Sequence, residues 1–258
     1  MKTCIIITAT IDPKGMVFTK RNSPEDRLND YKKVFKEFCN QQEVSNMIFI
    51  ENSGYSLDYF QNEKKKYPDK KIEIMSSSVN NEFSRELGKG FGEHLSLKEV
   101  FEKSNSVKDY DYFIKCTGRY HLLNFSSIFK SLKKETLTVN GNLKDNLKYF
   151  DTSIVCGSKD FFVNYVIPET KNVNDSNNIF FENCVAKALF KAMADGYSFN
   201  QIKDLPIIDG YIGTNNKKFR YNIIRRIKIK ILGKLKNYLI SHKKYWEWNF
   251  LRRDGRAV

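Results

Sequence analysis

Apolar positions follow two rhythms along the chain. Short runs rich in β-branched residues, at 4–10, 46–51, 71–75 and 110–116, read as strands. The run at 110–116 is apolar enough to be buried on both faces. Between the runs the spacing turns helical. Leu28, Tyr31, Val34, Phe35 and Phe38 recur in step after Ser23-Pro24-Glu25, where Ser23 suits an N-cap and Pro24 the first helical position. A short helix is predicted around 57–66, and another from 88 to about 104. The breaks fall at Asp12-Pro13-Lys14-Gly15 and Asn52-Ser53-Gly54. Strand and helix alternate through the first 120 residues, which predicts an α/β fold: a mostly parallel sheet flanked by helices. Later segments are less regular. Residues 152–156 read as a strand, 161–166 as strand or helix, 180–193 as a helix and 205–210 as a short strand or loop. This half suits a small mixed extension of the sheet.

The rhythm changes again at 222–241. Ile224, Ile227, Ile231, Leu235 and Tyr238 mark one face, with Lys and Arg between them. Tyr245, Trp246, Trp248 and Phe250 follow, flanked by Arg252 and Arg253. Charge sharpens this boundary. Residues 217–258 hold 14 Lys/Arg and two Asp/Glu, whereas the rest of the chain holds 30 and 28. The reading is therefore a nearly neutral domain, 1–216, and a basic amphipathic tail, 217–258, that fits an anionic membrane surface. Nucleic acid is not an expected partner, because the body lacks a recognition motif. The apolar run at 4–9 is too short for a signal segment or a membrane span. Five separated cysteines and no CxxC pair exclude a disulfide framework and a zinc site. They suit buried thiols in a reducing compartment.

In an open parallel α/β sheet, ligands bind beyond the carboxyl ends of the strands. Four places qualify: Thr8 with its neighbours, the Asn52-Ser53 turn, the segment from Gly88 through Lys89 and Gly90 to Glu93, and the segment from Lys115 through Thr117, Gly118 and Arg119 to Tyr120. Three glycines and a lysine at a helix start suit a phosphate, or simply cap a helix. A lysine and an arginine at the end of a buried strand call for an anionic partner, either a diphosphate or a carboxylate of the protein. Glu182 opens a helix and could be a helix-end charge or a general base. Asp209 lies in a polar turn with Gly210, Tyr211, Gly213 and Thr214 that either closes over a site or is a plain loop.

The order of these segments resembles bacterial GT-A-type glycosyltransferases of surface-polysaccharide assembly, of lipopolysaccharide O-antigen or capsule. The stretches that carry it are IIITAT, the IENSG turn, GKGFGEHLSL, YDYFIKCTGRY with HLLN, DTSIVCGSKDFF and FFEN, spanning about residues 4–215. Such enzymes normally end the fourth strand in an Asp-x-Asp metal motif. This chain has Thr117-Gly118-Arg119 there, and its own Asp109 and Asp111 precede the strand. The resemblance thus implies a GT-A-like fold and an enzyme that needs no metal or other cofactor. Lys115 and Arg119 would supply the positive charge instead. It places Thr8, Asn52 and Ser53 near the nucleotide, Gly88, Lys89 and Gly90 near the donor, and Glu93 on the sugar. The donor would be a UDP-sugar and the acceptor a lipid-linked or oligosaccharide chain. Glu182 would be the inverting base, with Asp209 in reserve. The expected location is cytoplasmic, peripheral on the inner face of the plasma membrane. The competing expectation is a non-catalytic nucleotide- or membrane-binding module. A nucleotidyltransferase would need a metal-holding acidic pair at a strand's carboxyl end, which the sequence lacks.

Overall fold

A computed structural model describes residues 1–144, 147–221 and 223–241. In chain order the elements begin with β1 (Thr3–Ala9), α1 (Pro24–Asn40), β2 (Asn46–Glu51), α2 (Asp58–Lys64), β3 (Lys71–Ser76), α3 (Gly88–Lys103) and β4 (Tyr112–Thr117). There follow β5 (His121–Leu122), α4 (Phe125–Ser131), β6 (Thr138–Gly141), β7 (Leu143–Lys144), β8 (Tyr149–Phe150) and β9 (Ile154–Ser158). The remainder is α5 (Lys159–Phe161), a π-helical turn (Phe162–Val166), α6 (Ile167–Thr170), α7 (Phe181–Ala194), β10 (Ser198–Gln201), β11 (Ile208–Asp209) and α8 (Ile223–Ser241).

Seven strands form the central sheet in the order β10-β6-β9-β4-β1-β2-β3. β9 runs antiparallel to both neighbours and all other pairs are parallel. Side chains alternate across β1, so Ile5 and Ile7 face α1, α2 and α4, while Cys4 and Ile6 face α3 and α7. Both faces are therefore covered, and the first, second and fourth strands are buried almost throughout, as unbroken apolar runs require. Ser23 caps α1 by accepting from the Asp26 N–H at 3.3 Å. All five cysteines are buried and free.

Three predicted segments shift. The fourth strand starts at Tyr112, because the Asp109 end of a 3₁₀ turn leads into it. The strand expected at 152–156 is β9, Ile154–Ser158, since Thr152 and Ser153 belong to a turn organised by Asp151. Residues 161–166 are helical.

α8 packs on the rest of the chain at β10. Gly233 permits this: a Cβ there would lie 2.0 Å from the Lys203 carbonyl oxygen. Leu239 and Lys236 are buried at the same seam, and the Lys236 Nζ donates to the Leu143 carbonyl at 3.4 Å. Ile224, Ile227, Ile231, Leu235 and Tyr238, the stripe read from the sequence, all face solvent. No described helix is long and apolar enough to cross a membrane. Tyr245, Trp246, Trp248, Phe250, Arg252 and Arg253 lie outside the described residues.

Candidate functional site

The strand order reverses between β1 and β4: the chain leaves β1 toward β2 and β3, and leaves β4 toward the other edge. Their carboxyl ends therefore flank a crevice. Gly118 closes its floor. Its N–H donates to the Thr8 carbonyl at 3.1 Å, and a Cβ at this position would come within 2.6 Å of that oxygen. Any side chain here would push the two strands apart.

Lys115 points to the α3 and α7 side of β4, in register with Ile6. It is fully buried. Its Nζ pairs with Glu93 of α3, donates to the Thr152 carbonyl at 2.8 Å and to Thr117 Oγ1 at 3.3 Å, and lies 5.7 Å from the Phe181 ring centre. Thr8 Oγ1 donates to the same Glu93 carboxylate at 3.3 Å. Thr8, Glu93, Lys115 and Thr117 thus form one network at the strand ends. A fully buried ammonium needs such a partner, because leaving water unpaired is costly.

Arg119 is also buried, and it turns toward the other face. Its Nη1 donates to the Tyr211 carbonyl at 3.2 Å, and its guanidinium reaches the Tyr31 hydroxyl. Arg27 donates to that hydroxyl as well, at 3.1 Å, and lies close enough to Arg119 for the two charges to repel. Burial, together with Arg119, brings the Arg27 pKa down to about 10. Gly210 and Gly213 let the following loop fold over Arg119: Cβ atoms there would sit 2.8 Å from its carbonyl oxygen and 2.7 Å from its Nη2. That loop is the Asp209–Thr214 turn, so it closes over the crevice rather than hanging free. Its Thr214 Oγ1 accepts from Lys89 Nζ at 2.7 Å.

The start of α3 holds a carboxylate of the protein. Asp175, almost wholly buried, accepts from the Gly90 N–H at 3.4 Å and from the Lys89 N–H. Burial raises its pKa, and the two amides oppose that rise. Gly88 (φ 80°) leaves room for it, since a Cβ there would overlap the Asp175 carboxylate at 2.2 Å. The Lys89 side chain instead reaches the mouth of the crevice. Surrounding protein draws its pKa below the usual lysine range, against the pull of Glu182 and Asp175.

Glu182, in the first turn of α7, faces this set. Thr152 Oγ1 donates to it at 3.4 Å, and the Tyr149 phenol reaches the same carboxylate. Burial raises the Glu182 pKa, and the nearby Glu93 charge adds to the rise. Tyr120 is half-buried beside Arg119, Glu182, Asp151 and Glu93, and burial raises its pKa too. Among the described residues no three His, Cys, Asp or Glu side chains converge as a metal donor set.

The other candidates are engaged elsewhere. Asn52 donates to the Gly92 carbonyl at 3.0 Å and to Ser96 Oγ at 2.8 Å, tying β2 to α3. Ser53 bonds to Glu51 and accepts from the Asp12 N–H at 3.0 Å. Among the described residues, the buried Oδ1 atoms of Asn52 and of Asn80 have no hydrogen-bond partner. Asp209 pairs with Lys33 at 2.5 Å and Lys218 at 3.3 Å, and the hydrogen bond from Lys33 lowers its pKa. Asp111 accepts from the Lys2 N–H at the amino end of β4, far from the crevice. Sequence reasoning missed Tyr31, Tyr149, Thr152 and Asp175. The only signal for Asp175 was a run of Asn and Ser between two helical segments.

No protein-family model matches the chain, and no curated protein matches it. Solved structures do resemble it. The glycosyltransferase GlyE of Streptococcus pneumoniae TIGR4 aligns with a TM-score of 0.52 at 9% identity, over 100% of this chain and 67% of that one. Core-mannan synthase A (CmsA/Ktr4) of Aspergillus fumigatus, in an Mn/GDP form, aligns at 0.49 and 10% identity, over 94% and 85%. The 4-diphosphocytidyl-2C-methyl-D-erythritol synthase of Anaerococcus prevotii DSM 20548 aligns at 0.43 and 12% identity, over 91% and 95%. At these identities the likeness concerns the fold, which is GT-A-like.

Proposed function

We propose that the chain is a glycosyltransferase that moves a sugar from a nucleotide-sugar of the UDP class to a lipid-linked or growing bacterial surface glycan. One observation carries this reading. In a GT-A-like sheet, the crevice at the strand reversal gathers Lys89, Lys115 and a half-buried Glu182 with a raised pKa on the α3 and α7 side, with Arg119 turned toward the other face under the Asp209–Thr214 loop. A diphosphate leaving group needs positive charge, and an acceptor hydroxyl needs a base. Glu182 takes the acceptor proton as the acceptor oxygen attacks the anomeric carbon, and the nucleoside diphosphate leaves from the opposite face, inverting the configuration. Lys89 at the mouth and Arg119 under the loop receive the diphosphate, while Lys115 holds Glu93 for the sugar. The cations stand in for a metal.

The exposed stripe of α8, with its cations, docks on an anionic membrane and brings the enzyme to a lipid-linked acceptor. The location proposed is the inner face of the plasma membrane.

A second reading, a nucleotide- or membrane-surface-binding module without catalysis, draws on the fact that Lys115 and Arg119 already have protein partners. Turnover separates the two. With UDP-glucose, UDP-galactose and UDP-N-acetylglucosamine as a donor panel, sugar release or transfer persists in EDTA. Arg119→Ala lowers kcat/KM by about 100-fold. Strict dependence on Mg²⁺ or Mn²⁺ sinks the metal-free mechanism. UDP binding by calorimetry with no turnover of any donor supports the module.

A further inference from the structure

We infer that Tyr149 and Thr152 are positioning residues for Glu182, carried by a pinned turn, residues 149–153, that aims the carboxylate into the crevice. This rests on the reading of Glu182 as the base.

The two hydroxyls come from one short segment and meet one carboxylate: Thr152 Oγ1 donates to Glu182 Oε1 at 3.4 Å, and the Tyr149 phenol lies within reach of the same carboxylate. The segment is held at every step. At its start, Leu143 and Lys144 pair with Phe150 and Tyr149 in the β7/β8 hairpin. Phe150 is fully buried against Gly141, where a Cβ would fall 1.9 Å from the ring, so the neighbouring Tyr149 is turned to the opposite side. In the middle, Asp151 takes Lys144 Nζ at 2.6 Å, Asn142 Nδ2 at 3.3 Å, and the Ser153 N–H and hydroxyl at 3.2 and 2.7 Å. At its end, the Thr152 carbonyl accepts from Lys115 Nζ at 2.8 Å and Thr117 Oγ1 at 3.2 Å. The buried lysine therefore locks the backbone of the residue whose hydroxyl meets the base. A base needs an orienting partner, as a nucleophile needs a base.

The charges around Glu182 are set from several elements. Glu93 and Lys89 face it from α3, Tyr120 from the segment after β4, Tyr149 from β8, and Cys184 from α7 itself. Lys115 stands behind Thr152. The Tyr149 phenol favours the charged form of the carboxylate against burial and Glu93, and the Thr152 hydroxyl, as a donor to Oε1, acts in the same direction. Losing either one moves the Glu182 titration upward.

The test follows that titration directly in the full chain. Glutamate carboxyls are ¹³C-labelled, the Glu182 resonance is assigned by its loss in Glu182→Gln, and pH is scanned by NMR. Tyr149→Phe and Thr152→Val each raise the midpoint by at least about 0.5 pH unit, as the loss of a hydrogen bond to a charged group requires. Thr152→Ser, which keeps the hydroxyl, stays within about 0.2 unit of the parent. Thermal melts followed by circular dichroism confirm that each variant folds. A smaller rise in both variants, or a fall, overturns the inference. Turnover of the UDP-sugar panel is measured on the same samples. If the midpoint moves while no donor reacts, the positioning stands and the transferase reading falls. If a donor reacts while the midpoint stays, the reverse holds.

Discussion

At the scale of single residues, the buried pair of Lys115 and Glu93 decides most. Lys115 has no exposed surface, and Glu93 keeps about a fifth of its side-chain surface. Two opposite charges in this setting hold each other up, and removing one strands the other. Lys115→Met leaves the Glu93 carboxylate without its cation and the Thr152 carbonyl without a charged donor. The expected loss of stability is about 3 kcal/mol. Lys115→Met with Glu93→Gln removes both charges and recovers about half of that loss. Urea unfolding of the four members of the cycle measures this. If the two single losses simply add in the double variant, the pair is not an energetic unit. The cation was readable from sequence, since a lysine at the end of an apolar strand has few other reasons to be there. Its partner was not, because Glu93 reaches it only through the packing of α3 across the sheet. Asp175 was hidden for the same reason, and with it the fact that the glycines of α3 already hold a carboxylate.

Among elements, legibility followed chemistry. β1, β2 and β4 announce themselves as apolar runs because both of their faces are covered. β6 and β10 read TVNG and SFNQ and went unnoticed. Both are in the sheet because their amides are satisfied internally. Asn140, fully buried, donates to the Lys133 carbonyl at 2.8 Å and accepts from Asn200 at 2.5 Å. Gln201, also fully buried, donates to Asn142 at 2.8 Å and accepts from the Leu143 N–H at 3.1 Å. A polar residue whose bonds are all made is as much core as a leucine, but it has no signature in a hydropathy pattern. The start of α3 shows the converse, a motif that was visible while its use was not. Gly88→Ala tests that use. The new methyl group must sit where Asp175 does, on a backbone with φ near 80° that alanine avoids. The expected cost is about 2–4 kcal/mol, seen as a lowered Tm. An unchanged Tm removes Asp175 as the partner of this helix start.

For the whole molecule, the question is where its charge and its spare apolar surface point. The 1–216 part is nearly neutral, and the excess cations lie in 217–258. α8 divides its surface sharply. Gly233, Lys236 and Leu239 face the domain, while Ile224, Ile227, Ile231, Leu235 and Tyr238 are left in water with Arg226, Lys228, Lys230 and Lys234 also exposed. An amphipathic helix on a soluble domain normally turns its apolar stripe inward. This one turns it outward and flanks it with cations, the arrangement suited to a bilayer interface with anionic lipids. Deleting the tail would also strip the cover from β10, so point changes on the outer face are the cleaner probe. Ile227→Ser with Ile231→Ser leaves the inner seam intact and keeps every charge. Binding of the full chain to phosphatidylglycerol vesicles falls by at least about tenfold in this variant, since two buried isoleucine side chains are worth a few kcal/mol. The parent binds phosphatidylcholine vesicles far more weakly than phosphatidylglycerol ones, and raising the salt to about 0.5 M weakens the latter binding as the charges are screened. If the double variant binds phosphatidylglycerol as tightly as the parent, the stripe is not the docking face. If it binds equally and salt still releases it, charge alone holds the protein to the surface and the apolar half of the proposal is withdrawn.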